Sequence, residues 1–152
     1  MKALVWGVRA SFVRYVLAQP DGRCDTHGVT VLDGEEFIFP SAEPADAADA
    51  ADVLHFTGTV SFAAHGGALR LVVADPSLER LPGSDDGRQW GLMIADADGT
   101  GRACLAVLGG DDTAPSGREL RLTEEGAGLF GGYYRAGDAL DPLVVTSVSI
   151  PA

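Results

Sequence analysis

Cysteine, cationic charge and long apolar runs are all scarce in this sequence. Its 152 residues include two cysteines, Cys24 and Cys104, 80 positions apart and outside any C-x-x-C unit. That spacing offers neither a zinc knuckle nor a redox pair, and the two are expected to be unpaired thiols. Eleven Lys and Arg stand against 22 Asp and Glu, a net charge of -11. A field of that sign repels a phosphate backbone and an anionic lipid surface, which argues against nucleic acid and against membrane insertion. No apolar run approaches the roughly 20 residues that span a bilayer. The apolar stretch after Lys2 stops at Arg9, short of the roughly 7–15 residues of a secretory h-region. The chain as written reads as cytoplasmic, with the mature part of an exported protein as the alternative.

Catalytic signatures are missing as well. There is no G-x-S-x-G, no P-loop and no G-x-G-x-x-G in a strand–helix setting. "DADGTGRACLAV", residues 96–107, opens like a calcium loop but carries Val107 where an EF-hand needs a bidentate acid. The acids are scattered through turns, and no pair stands out as an acid–base couple. His27, in a glycine-flanked loop, and His55, on the polar face of a strand, read as surface residues.

What the chain has is apolar residues, 46% of it, and 20 glycines. Its mean hydropathy is +0.11, that of a globular protein rather than a disordered one. The length suits one domain over residues 1–152, large enough to fold without a metal or disulfide staple. Most glycines fall in turn pairs, such as Asp33-Gly34, Gly66-Gly67 and Asp98-Gly99, between short runs of Val, Leu, Phe and Thr. That pattern predicts a mainly antiparallel β protein, a sandwich or barrel-like sheet with one or two short helices. "SAEPADAADAAD", residues 41–52, is an acidic alanine-rich stretch that suits either a helical turn or a solvated loop.

Two hairpins are expected in register. In "LHFTGTVSFAAH" the even positions Leu54, Phe56, Val60, Phe62 and Ala64 are apolar, the alternation of a long strand. A Gly66-Gly67 turn opposes Ala64 to Leu69, Phe62 to Leu71 and Val60 to Val73. His65 then sits at the tip, on the face away from the core. The second hairpin turns at Asp98-Gly99 and opposes Leu92 to Leu105 and Ile94 to Ala103. "PLVVTSVSI" reads as a final strand.

Residues 11–16, "SFVRYV", suit a short helix at about 10–17. Ser11 and Tyr15 share one face of it and Phe12 and Val16 another. This segment belongs to the first of three that together resemble the HtaA-type haem-transport-associated domain of bacterial haem-uptake proteins. They are "WGVRASFVRYV", "FTGTVSFAAHGGALRLVVADPSLE" and "GYYRAGDALDPL", spanning residues 6–142 in the family's order. The resemblance implies a module that binds one ferric haem b and does no chemistry on it. It implies Tyr15 as axial ligand to the iron and His65 as hydrogen-bond partner of the phenolate. It implies Ser11 as a propionate contact and Tyr134 as the third aromatic, with Tyr133 the alternative one position away. Arg9, Arg14 and Arg70 are candidates to neutralise the propionates. The chemistry of these side chains agrees: a phenolate is a hard anionic donor suited to Fe(III), and tyrosine is an established axial ligand to haem iron. The implied partners are haem and a haem donor or acceptor protein, and a homodimer stays open. The other readings are a haem enzyme or sensor, with Tyr134 or His55 as the distal acid–base group, and a β interaction domain without haem.

Overall fold

A computed structural model describes residues 2–32, 36–41, 53–81, 89–95, 101–108, 119–131 and 133–147. The acidic stretch at 42–52 and the Asp98-Gly99 turn lie outside them. The elements in chain order are β1 (Lys2–Trp6), α1 (Ala10–Ala18), β2 (Arg23–His27), β3 (Thr30–Leu32), β4 (Glu36–Pro40), β5 (Val53–His55), β6 (Thr59–Ala64), β7 (Leu69–Ala74), β8 (Ser77–Arg80), β9 (Trp90–Ala95), β10 (Arg102–Leu108), β11 (Leu120–Leu122), α2 (Glu124–Leu129), β12 (Ala139–Leu140) and β13 (Val144–Ser147). Three sheets result, in the orders β13-β1-β4-β3, β12-β11-β10-β9-β8-β5 and β2-β6-β7. The strand pairs within them are antiparallel, as the spacing of turn signals predicts. Among the described residues no helix is long and apolar enough to cross a membrane.

The first hairpin forms in the expected register, with Ala64 opposite Leu69, Phe62 opposite Leu71 and Val60 opposite Val73. Alternation decides this, because a slip of one residue would turn Val60, Phe62 and Ala64, all buried, out to solvent. The strand before it is not continuous, however. It breaks after Phe56, and Gly58 takes a φ of 117°, which only glycine adopts readily. The Gly58 amide donates to Asp75 Oδ1 at 3.0 Å and its carbonyl accepts from the Asp75 amide at 2.8 Å. That corner sends β5 into the six-stranded sheet beside β8 and leaves β6 in the three-stranded one. Side-chain period alone carries no sign of the break, since it continues in phase across it.

The second hairpin differs from its expected register. Ile94 does face Ala103, but Leu92 faces Ala106 rather than Leu105, with a bulge between Cys104 and Ala106. The extra residue lets Leu105 and Ala106 both be buried. It also turns the Leu105 carbonyl toward the start of α2, where it accepts from the Thr123 amide at 3.1 Å. A β-carbon on Gly126 would lie 2.0 Å from that oxygen, so helix and bulge fit only around a glycine. Both cysteines are free thiols, and burial pushes each thiol pKa up, with a neighbouring acid adding to it.

One core joins the sheets and α1. Trp6, Phe12, Phe37, Phe39, Phe62 and Phe130 are its largest fully buried side chains. Phe12 anchors α1 in it, edge-on to Phe62 at 5.2 Å and to Phe130 at 5.1 Å between ring centroids. The helix start is held from the far end of the chain. Asp141 Oδ2 accepts from the Ala10 amide at 2.9 Å, and the Asp141 carbonyl accepts from Trp6 Nε1 at 2.8 Å. Arg9, at the N-cap, gives no side-chain cap of its own, so the carboxylate of Asp141 does that work.

Candidate functional site

With Phe12, Val13 and Val16 buried, helical geometry turns Ser11 and Tyr15 outward. Tyr15 is 42% exposed, although Val16 beside it is buried. Its hydroxyl lies 2.6 Å from His65 Nε2, across 50 residues of sequence. The family resemblance implies this pairing, and the fold puts the two side chains in direct contact.

His65 reaches the helix because of the turn it begins. The His65 carbonyl accepts from the Ala68 amide at 3.1 Å, and Gly66 and Gly67 have φ of 65° and 95°, the two left-handed centres of a type I′ turn. His65 is itself left-handed, at φ 55°, a conformation that costs an L-residue roughly 1–2 kcal/mol. Two contacts hold it there. The His65 amide donates to Asp21 Oδ1 at 3.1 Å and the Gly66 amide to Asp21 Oδ2 at 2.6 Å. These bonds, Gly66's first, hold the Asp21 carboxyl below its ordinary pKa. Asp21 was missed in the sequence, where the available signal, a Pro-Asp-Gly run, speaks only of a turn and not of what the carboxylate would hold.

The segment after α2 closes the other side. Tyr133 lies nearly parallel to the His65 imidazole, 6.2 Å between centroids and 16° between planes, and is 47% exposed. Tyr134 turns the other way, edge-on to Phe130 at 5.1 Å and to Phe12 at 6.0 Å. The Arg9 guanidinium sits 4.6 Å above the Tyr134 ring, and Arg9 Nε donates to Ser11 Oγ at 3.2 Å. Burial pushes the Tyr134 phenol pKa up; Arg9 opposes this, and Asp138 and Tyr15 add to it. So both tyrosines border the site in different roles, one stacked on the imidazole and one packed under Arg9.

Arg70 is in β7, where it pairs with Ala63, which pairs with Arg23 of β2. The two arginines line a groove of about 780 Å³ whose wall also holds Asp21, Ser61, Gly66 and Gly67, so it borders the hairpin tip; Tyr15 and His65 are not among its lining residues. Arg14 is exposed on α1. His55 lies on the edge strand β5, in another sheet from the Tyr15–His65 contact.

The sequence profile of the HtaA family matches residues 1–146. The chain belongs to the HtaA family. Solved structures agree in fold. The N-terminal domain of HtaA from Corynebacterium glutamicum is 22% identical and superposes with a TM-score of 0.69, covering 95% of this chain and 94% of that one. The C-terminal domain of the same protein is 24% identical, with a TM-score of 0.67 and the same coverage. A structure described as heme binding protein HtaB, also from Corynebacterium glutamicum, is 19% identical, with a TM-score of 0.67 and 96% of each chain covered. No curated protein matches the chain. The three quoted stretches of this HtaA-family domain therefore sit where the fold assembles its polar aromatic cluster: the first gives Ser11 and Tyr15, the second His65, the third Tyr133 and Tyr134.

Proposed function

We propose that this domain binds one ferric haem b as a carrier or transfer module, with Tyr15 as the iron ligand and His65 as the partner of its phenolate. The observation that carries this is the 2.6 Å contact between an exposed tyrosine hydroxyl and a histidine nitrogen brought from 50 residues away. A tyrosine that served only to pack would have its ring buried and its hydroxyl free to meet water. Here the hydroxyl is spoken for and the ring stands in the open.

The donor set fits the group. A phenol titrates near pH 10, so a tyrosine that ligates at neutral pH must lose its proton, and a bound ferric iron supplies most of the drive. The tautomer of His65 sets the direction of the 2.6 Å contact: an Nε2 without hydrogen accepts from the Tyr15 hydroxyl, and an Nε2–H would donate to a Tyr15 phenolate, a charge-assisted hydrogen bond that would favour the ligating form. Tyr133 supports the imidazole by stacking, so the ring need not search for its partner. Ser11, on the helix face of Tyr15, and Arg9, which donates to it, are the groups we assign to the propionate carboxylates, in a protein whose net charge would otherwise repel them. Nothing in the family match indicates catalysis, and the reading is of a binding module that exchanges haem with donor and acceptor proteins.

Titration of the purified protein with hemin tests the reading. A saturable Soret band at one equivalent, lost in Tyr15→Phe while the far-ultraviolet circular dichroism is unchanged, is the expected result. Retention of the same spectrum and affinity in folded Tyr15→Phe would reject Tyr15 as ligand. Dithionite gives a second check, because a phenolate-ligated iron resists reduction and its ferrous form should hold haem poorly. A stable low-spin ferrous spectrum with two imidazoles would count against the carrier reading.

A further inference from the structure

The contact between Tyr15 and His65 depends on a residue that touches neither side-chain partner. We infer that Asp21 is a positioning residue for His65: its carboxylate, carried on the segment that ends α1, clamps the backbone of the hairpin tip and presents the imidazole to Tyr15. The inference rests on the haem-binding reading for its consequence, but its geometry stands without haem.

Three observations converge. First, His65 is left-handed without being a glycine, so its backbone needs a reason to stay there. The Gly66-Gly67 turn does not by itself call for a left-handed residue at that position, since its closing bond joins the His65 carbonyl to the Ala68 amide and its two left-handed centres are the glycines. Second, backbone amides presented side by side in a turn make an anion-binding concavity. Both oxygens of Asp21 fill it, one on the His65 amide at 3.1 Å and one on the Gly66 amide at 2.6 Å. Third, Asp21 is six residues beyond Tyr15 and fastened to the same helix end. The Gln19 side-chain amide donates to the Tyr15 carbonyl at 3.1 Å, the Gln19 amide to the Val16 carbonyl at 3.1 Å, and the Gly22 amide to the Gln19 carbonyl at 3.0 Å. A β-carbon at Gly22 would come 1.6 Å from the Val16 oxygen, so the chain passes this point in one way. Tyr15 and Asp21 thus form one rigid unit that grips the tip twice, by side chain at the imidazole and by carboxylate at the backbone.

The experiment compares wild type, Asp21→Ala, Asp21→Asn, His65→Ala and Asp21→Ala/His65→Ala. In the haem-free protein, nuclear Overhauser contacts between the Tyr15 and His65 rings should be present in wild type and lost in Asp21→Ala. With hemin, Asp21→Ala should speed dissociation by roughly 10-fold and move the visible bands of the ferric complex toward those of His65→Ala. In the His65→Ala background the same substitution should change neither. Asp21→Asn keeps one acceptor oxygen and should fall between. Ring contacts that persist in folded Asp21→Ala, or effects that add in the double variant, would overturn the inference, because a carboxylate that merely stabilised the hairpin would act with or without the imidazole. If Asp21→Ala does not fold, Asp21→Asn carries both readouts. If Tyr15→Phe leaves hemin binding untouched while the ring contacts still depend on Asp21, Tyr15 is not the ligand and the positioning role stands; if the wild-type protein takes up no hemin while the ring contacts depend on Asp21, the haem-binding reading falls and the positioning role still stands.

Discussion

The two faces of α1 are made from nine consecutive residues and do opposite things. One carries Phe12, Val13 and Val16, each buried, and fastens the helix to the core. The other carries Ser11 and Tyr15, both exposed, and from it Tyr15 meets His65 and Ser11 accepts from Arg9. An interior packed as densely as a crystal penalises each lost methylene. An exposed ring bound at one atom does not. So the first face should govern stability with binding lost only as a consequence, and the second should govern binding with stability nearly constant.

The largest effect is expected on the buried face. Phe12→Ala removes a ring that contacts Phe62, Phe130 and Tyr134 and should cost about 3–5 kcal/mol, read as a drop in the urea midpoint with the slope unchanged. A loss under 1 kcal/mol would mean that α1 is not anchored as described. Next comes Tyr15→Phe, which should leave that midpoint almost in place while hemin affinity falls more than about 100-fold, beyond what losing a ligand's hydrogen-bonding partner costs. A variant that loses stability and affinity together would erase the contrast between the faces. His65→Ala follows, expected to retain hemin with a roughly 10–100-fold weaker and spectrally altered site. A loss as complete as that of Tyr15→Phe would make His65 an iron ligand in its own right.

The smallest effect is on the residue that lies between the faces. Tyr134 is half-buried against Phe12 and under Arg9, and burial raises its pKa. A group whose folded pKa is raised stabilises the fold below its unfolded value and ceases to as the pH climbs through the folded one. Stability should therefore be flat through neutral pH and decline above about pH 10. Ultraviolet titration should show a phase above the ordinary tyrosine range that Tyr134→Phe removes; a titration unchanged by Tyr134→Phe would mean that this ring is not buried as described.

Much of this was legible in the chain. Val60, Phe62 and Ala64 alternate against Leu69, Leu71 and Val73, and the β6–β7 register follows without coordinates. The i, i+4 spacing of Ser11 and Tyr15 against Phe12 and Val16 announces the two-faced helix. The β9–β10 hairpin was legible only to its midpoint. A bulge keeps both neighbours apolar, so Leu105-Ala106 looks like an ordinary step in a buried strand. The break at Gly58 was hidden for a related reason, since a corner of two residues leaves the phase of a period-2 pattern intact.

The sequence by itself determined the local geometry: a helix that exposes Tyr15, a glycine turn that lifts His65 away from the core, and the class of sheet that surrounds them. Those follow from side-chain period and from the φ that glycine permits, which act over a few neighbours. Which of these residues meet is decided by the tertiary structure; the resemblance implies the Tyr15–His65 pair, but not the clamp of Asp21 on the hairpin tip. Tyr15 and His65 are 50 positions apart, Asp21 and Gly66 are 45, and Ala10 and Asp141 are 131. No local rule reaches that far. Their contact is set by the packing of α1 on Phe62 and Phe130 and by two carboxylates. Asp141 fixes where the helix begins and Asp21 ties its end to the hairpin tip, and in the sequence both look like ordinary turn residues.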